Sequence, residues 1–191
     1  MDKRKERTRR AIQQAFVELI AERGFSDVTV QDILDRTGVG RATFYAHFHG
    51  KEDLLAHQIR SICNHALNPT NPEHHHDFVG KSDPISMTEH VLCHLREREN
   101  GVRALVAGEG SEKFADCLRH EIVKRADEAV PEHPTGPAAQ MNRTFLLHHI
   151  AASFVGMVRW WAWTGFAAAP HDLAKDYLRA ILPVFGDEPP A

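Results

Sequence analysis

The 191-residue sequence predicts an all-α fold. Three observations point that way. Apolar residues recur at helical spacing in segment after segment, as in Ile12, Ala15, Phe16, Leu19 and Ile20, which make one stripe of an amphipathic helix. No run of any length alternates apolar with polar residues as a half-buried strand would. Gly and Pro fall between the periodic segments, where helices stop. A hydrophobic fraction of 42% supplies a real core, and the length suits one or two small domains.

The elements can be taken in chain order. A first helix covers about 4–23 and is stopped by Gly24. Two short helices come next, the second spanning about 41–47. A fourth, about 51–67, carries Leu55, Ile59, Ile62, Cys63 and Ala66 on one face and is long enough to leave the N-terminal domain. Residues 68–84 hold three prolines and His74-His75-His76 and read as a loop. Helix five is expected at 85–98, then a turn at Asn100-Gly101, a short sixth helix at 102–107 and another turn at 108–110. Helix seven covers about 112–130, a Pro-rich loop 131–137, and helix eight 138–164. Pro170 opens helix nine, which ends near Phe185-Gly186 before a short tail.

The two short helices carry the functional signal. Thr29 is a good N-cap, and Asp32 three residues on completes an approximate capping box. Val30, Ile33 and Leu34 form the inner side, and Gly38 provides the left-handed backbone that ends the helix. Val39-Gly40 is the turn. In the next helix Phe44 and Phe48, four apart, face inward, leaving Arg41, Ala42, Thr43, Tyr45 and His47 outside. This is a helix-turn-helix whose second helix fits a DNA major groove. The exposed types suit it: Arg grips a guanine edge or phosphate, Ala and Thr methyls touch thymine, and Tyr reaches a phosphate oxygen.

A wider pattern surrounds these residues: a basic N-terminus, Glu22-Arg23-Gly24-Phe25, Thr29-Val30-Gln31-Asp32-Ile33, Thr37-Gly38-Val39, Thr43-Phe44-Tyr45-Ala46-His47-Phe48 and Lys51-Glu52-Asp53-Leu54-Leu55. It resembles the DNA-binding domain of TetR/AcrR-type bacterial transcriptional regulators over roughly residues 4–60. The resemblance implies that Thr29 and Tyr45 contact phosphates. It implies that Lys51 holds another phosphate beside free backbone N–H groups, and that Arg41, Ala42, Thr43 and His47 lie nearest the base edges. Gly40 and Gly50 depart from the family pattern, which places Ser or a similar cap there. A Gly N-cap costs only a few tenths of a kcal/mol, but each position lacks a hydroxyl for phosphate.

Charge distribution supports a DNA partner despite a net charge of −3. Residues 1–60 hold 11 Lys and Arg against 9 Asp and Glu, so that part is +2 and the remainder −5. The excess lies in Lys3, Arg4, Lys5, Arg7, Arg9 and Arg10, a basic arm suited to phosphates or the minor groove.

Helix eight is apolar nearly all round: Phe145, Leu146, Leu147, Ile150, Ala151, Phe154, Val155, Val158, Trp160 and Trp161. Such a helix is buried on every side or spans a membrane. His148, His149 and Arg159 argue against a span, so no membrane partner is expected. Burial on all sides needs a second chain, and Ala152 and Gly156 permit close approach. The expectation is a C2 homodimer through helices 8 and 9, which also suits two recognition helices about 34–36 Å apart on a palindromic operator. This segment, with Trp160-Trp161 and Pro170, resembles the C-terminal domain of TetR-type regulators.

Apolar and polar residues of helices five to eight suggest a ligand pocket formed by His90, His94, Phe114, Met141, His148, Trp160 and Trp163. The same residues also fit a plain core, and Trp163 equally suits a dimer surface. The 14 histidines include His74-His75-His76 and the i, i+4 pair His90/His94, but no Asp, Glu or Cys completes a metal set. No metal and no cofactor are expected. Cys63, Cys93 and Cys117 form no paired motif and read as reduced thiols of a cytoplasmic protein without a signal peptide. No nucleophile–base pair or phosphate-binding glycine loop is present, so an enzyme is not expected and a histidine-based metal hydrolase finds no support.

The whole reads as an all-α chain. An N-terminal three-helix helix-turn-helix DNA-binding domain (1–50) precedes a C-terminal helical ligand-binding and dimerisation domain (51–186) and a tail (187–191). The expected function is a homodimeric, ligand-responsive transcriptional regulator: a repressor on a palindromic operator of double-stranded DNA, released by a small apolar or aromatic effector. The alternative is a DNA-binding regulator controlled by a protein partner.

Overall fold

A computed structural model describes residues 3–67, 83–108 and 110–186. Its helices are α1 (Lys3–Arg23), α2 (Val30–Thr37), α3 (Arg41–Tyr45), α4 (Lys51–Leu67), α5 (Pro84–Glu97), α6 (Glu99–Ala107), α7 (Ser111–Ala129), α8 (Arg143–Trp163) and α9 (Pro170–Ile181). Short 3-10 turns lie at Gly136–Gln140 and Leu182–Phe185. The described residues hold no strand. The expectations for His74-His75-His76, for the Cys63 side chain and for the tail lie outside the described residues.

The N-terminal helices form where local chemistry directs them. Gly38, at φ +67°, lets its N–H reach Leu34 O at 2.8 Å and closes α2. Arg36 at the end of α2 donates through both terminal nitrogens to Glu22 on α1, at 3.0 and 2.8 Å. Asp83 caps α5 by accepting from Ser86 N at 3.0 Å, and Pro84 occupies the first turn, where its missing N–H costs nothing.

Four boundaries differ from expectation. Asn100-Gly101 is no turn but lies inside α6, because Gly101 packs on α1, a Cβ there coming 3.7 Å from Val17 Cγ1. The second helix of the motif stops at Tyr45, two residues early. α8 begins at Arg143, because residues 136–140 tighten into a 3-10 turn and Asn142 caps the new helix, accepting from Phe145 N at 3.0 Å. α9 stops at Ile181, where Pro183 breaks the ladder into a second 3-10 turn.

The core is continuous. One apolar cluster runs from Phe16, Phe25, Ile33, Phe44 and Phe48 through Leu55 and Ile59 of α4 to Leu92, Phe114, Phe154 and Trp161. Trp161 is fully buried and donates its indole N–H to Ala168 O at 2.9 Å, satisfying its one polar atom. A smaller cluster of Ala138, Leu146, Leu147, Ile150 and Ile181 fills the far end. α5 packs along α9, α7 along α8, and α4 lies against α7.

Helix eight is not buried on all sides within one chain. Leu147, Ala151, Phe154, Val158 and Trp161 point inward, whereas Phe145, Trp160 and Trp163 stay 61%, 53% and 81% exposed. Among the described residues no helix is long and apolar enough to cross a membrane.

Candidate nucleic-acid interface

The capping box at Thr29 forms in full. Asp32 N donates to Thr29 Oγ1 at 3.2 Å, and Thr29 N donates to Asp32 Oδ2 at 2.8 Å. Thr29 Oγ1 also donates to that carboxylate at 2.5 Å. These bonds, helped by Arg23 at 3.2 Å, hold the Asp32 carboxyl below the usual carboxylate range. The Thr29 hydroxyl is thus already used as a cap.

α3 is anchored from below. Phe44 is fully buried, with Phe48 6.0 Å away between ring centroids. Tyr45 stands edge-on to Phe44, at 5.4 Å and 87°. With these side chains inside, Arg41, Ala42, Thr43 and Tyr45 are exposed and His47 is partly so. Arg41 is aligned rather than loose: its Nη2 donates to Gln31 Oε1 at 2.7 Å, and Gln31 Nε2 donates to Asp35 Oδ1 at 2.8 Å. Of the expected interface, Arg41, Ala42, Thr43 and Tyr45 of α3 and Thr29 of the α2 cap are thus exposed, with His47 partly so.

Lys51 departs from that expectation. Its ammonium donates to three backbone oxygens, Phe25 O and Ser26 O at 3.0 Å and Val28 O at 2.9 Å. It also lies 4.7 Å from the centroid of the Phe25 ring. An ammonium has three donors, and all three are engaged. Lys51 is a clasp that ties the start of α4 to the loop before α2, and it offers no N–H to a phosphate in this arrangement. The basic arm also changes character: from Lys3 onward it is the first turns of α1, with Arg10 paired to Glu6 at 3.1 Å.

The seven residues expected around a ligand are not brought together. His90 and His94 are buried and meet edge-to-face, with ring centroids 4.6 Å apart at 76°, and His94 Nδ1 lies 2.7 Å from Glu97 Oε2. Phe114 is core. Met141, His148, Trp160 and Trp163 lie at the surface. A cavity of about 770 Å³ opens elsewhere, between α5, α7, α8, α9 and residues 130–135, and a small one of about 40 Å³ borders Phe114 between α1, α4, α5 and α6. Met87, Val91, Ile122, Ile150, Phe154 and Leu178 make the larger one apolar, and Arg125, Glu128 and His133 add charge or polarity. Tyr177 also lines it, donating to Ile150 O at 2.9 Å, and burial pushes its phenol up to about 12. Sequence reasoning misses this set. Its traces in the sequence are Ile150 and Phe154 of helix eight and Tyr177 and Ile181, four apart on α9.

Two seams join the cavity end to the DNA-facing end. Gly110, at the α6–α7 turn, is buried against Phe25: an added Cβ would sit 2.7 Å from Phe25 Cβ and 3.0 Å from its ring. Only glycine fits there. On α4, exposed Arg60 donates through Nε to buried Glu121 of α7 at 3.1 Å, and Gln58 Nε2 donates to Gln13 O of α1 at 3.1 Å. α7 carries both Gly110's neighbours and the cavity wall.

Residues 12–57 match the family of bacterial regulatory proteins described as tetR, and residues 82–182 match its transcriptional regulator C-terminal region. The chain belongs to the TetR family. It is a helix-turn-helix transcriptional regulator. The HTH-type transcriptional regulator YxbF of Bacillus subtilis is 24% identical to it over 191 residues, covering 95% of this chain and 46% of that protein. The HTH-type transcriptional regulator AcrR of Shigella flexneri is 29% identical over 90 residues, 47% of this chain and 40% of that protein. This TetR-family chain thus spans under half the length of these curated relatives. Among solved structures, a TetR transcriptional regulator from Streptococcus agalactiae 2603V is 26% identical with TM-score 0.61, covering 94% of this chain and 96% of that one. A TetR-family regulator from Streptomyces coelicolor shares the fold at 17% identity and TM-score 0.65, covering 95% and 96%.

Proposed function

We propose that this TetR-family regulator is a cytoplasmic homodimeric repressor that binds a palindromic operator and releases it when a small apolar effector fills the cavity. Residues 1–50 form the reading head and 51–186 the effector and dimerisation domain, with α4 passing between them. The observation that carries the dimer is the outer face of α8. Phe145 stacks on His149 at 5.9 Å, exposed Ala152 and Gly156 leave a flat strip, and Trp160 and Trp163 continue it. A stripe of three large exposed apolar side chains around small residues is costly in water and well suited to a second copy of itself. Exposed face residues of α9 complete the interface.

On DNA, Arg41, Ala42, Thr43 and His47 face the base edges and Tyr45 meets a phosphate, while Thr29, its donors spent on Asp32, sets the start of α2. Lys51 supports the geometry from behind. Effector binding shifts the population between two spacings of the reading heads; a preference of about 1–3 kcal/mol lowers operator affinity by ~5–150-fold. The wide apolar cavity favours a small-molecule effector over control by a protein partner.

Selection of bound duplexes from a random pool tests the reading. Enrichment of a palindrome with half-sites roughly one helical turn apart is expected; enrichment of single half-sites, or of nothing at low salt, overturns it. Sedimentation of Gly156→Arg tests the interface, with a dimer expected for the parent chain and a monomer for the variant.

A further inference from the structure

The cavity has a chemical asymmetry that its apolar walls do not disclose. Arg125 and Glu128, one turn apart on α7, both line it, and Arg125 Nη1 donates to Glu128 Oε2 at 3.1 Å. Their exposure differs: the Arg125 side chain is 21% exposed and that of Glu128 56%. Two other polar walls are engaged elsewhere, the Thr135 hydroxyl donating to Phe185 O at 2.6 Å and the Tyr177 hydroxyl to Ile150 O, and Thr88 and His133 complete the polar lining.

A ligand entering this space meets an ion pair whose members are not equally easy to separate. An acid group that takes the guanidinium sends Glu128 back to water, where it already largely sits. A cationic group that takes Glu128 draws a counter-charge away from a guanidinium that is mostly out of water, which is the more costly exchange. Arginine also matches a carboxylate with two parallel donors.

We propose that the effector is an anionic amphiphile, with an apolar body against Val91, Ile150 and Phe154 and a carboxylate or comparable acid head on Arg125. The proposal rests on the reading of this cavity as the effector site. It refines the expectation of a simply apolar or aromatic molecule.

The test is calorimetric titration of the full chain with three probes of equal chain length below micelle formation: decanoate, decanol and decyltrimethylammonium. Decanoate is expected to bind roughly 10-fold or more tightly than decanol, with the ammonium weakest. Arg125→Met removes that preference, Arg125→Lys retains most of it, and Glu128→Gln tightens decanoate. Decanol or the ammonium binding as tightly as the acid overturns the acid head while leaving the cavity as an effector site. Binding of none of the three overturns the cavity reading, and the acid head with it.

Discussion

The two ends of this regulator are built on different principles. At the DNA-facing end the α2 cap bonds join residues three apart, and the anchoring aromatics Phe44 and Phe48 sit four apart. At the cavity end the walls come from four helices and a loop spread over residues 84–185, and they enclose about 770 Å³. The first end is fixed by short-range chemistry and packed shut; the second is held open by elements that meet only after the chain has folded. Rigidity at the reader and room at the receiver are what the proposed switch needs: a constant surface at one end and space for a ligand at the other.

The largest expected effect tests the packing difference. Phe44→Ala removes a fully buried ring from a filled core and should cost ~3–5 kcal/mol in urea unfolding. Phe154→Ala, whose ring already borders the cavity, should cost less because the wall has open space beside it. Equal losses would erase the contrast.

Next is Lys51→Met, which removes three charge-assisted bonds to carbonyls and should cost about 2 kcal/mol. Its diagnostic readout is the salt dependence of operator binding. A lost phosphate contact lowers the slope by about 0.9; a clasp leaves the slope in place while stability falls. Gly110→Ala probes the seam itself. The added methyl pushes Phe25, and with it the loop held by Lys51, so operator affinity should fall roughly 10-fold while decanoate affinity is kept. Loss of both together would show that the turn supports the cavity instead.

The smallest effect is at the cap. Thr29→Ala should cost ~1 kcal/mol. The cap is also pH-dependent: the folded pKa of Asp32 is depressed by the Thr29 bonds, so its contribution is present above the ordinary carboxylate pKa and is lost as pH falls through the lower folded value. Acid titration of helix content should show this loss in the parent chain and a smaller one in Thr29→Ala, which keeps the backbone N–H and Arg23 as partners of Asp32.

How far each end is legible in the sequence depends on the same difference. Thr29, Asp32, Gly38, Phe44 and Phe48 announce their roles because their partners lie within a few positions. Lys51 does not, since its three acceptors lie 23 to 26 residues upstream and nothing in the sequence marks a bare carbonyl. In α8 the aromatic residues occur all round the helix, so the pattern lacks a preferred side. The sequence pattern places Trp160 and Trp163 in a pocket, while Ile150 and Phe154 line the real one. Arg125 is invisible for a related reason: its pairing with Glu128 is an ordinary i, i+3 helix contact, and only the folded walls make it a feature of a cavity.

The uninterrupted core has a consequence for anyone recombining such regulators. Because apolar packing runs from Phe44 through Leu55 and Ile59 into Phe114 and Trp161, there is no natural cut line between reader and receiver. A chimera that grafts residues 1–50 onto a different receiver would inherit half of an interface, with Phe25 facing whatever replaces Gly110. Domain exchange in this chain is a repacking problem, and a working hybrid must bring its own complement for that aromatic ring.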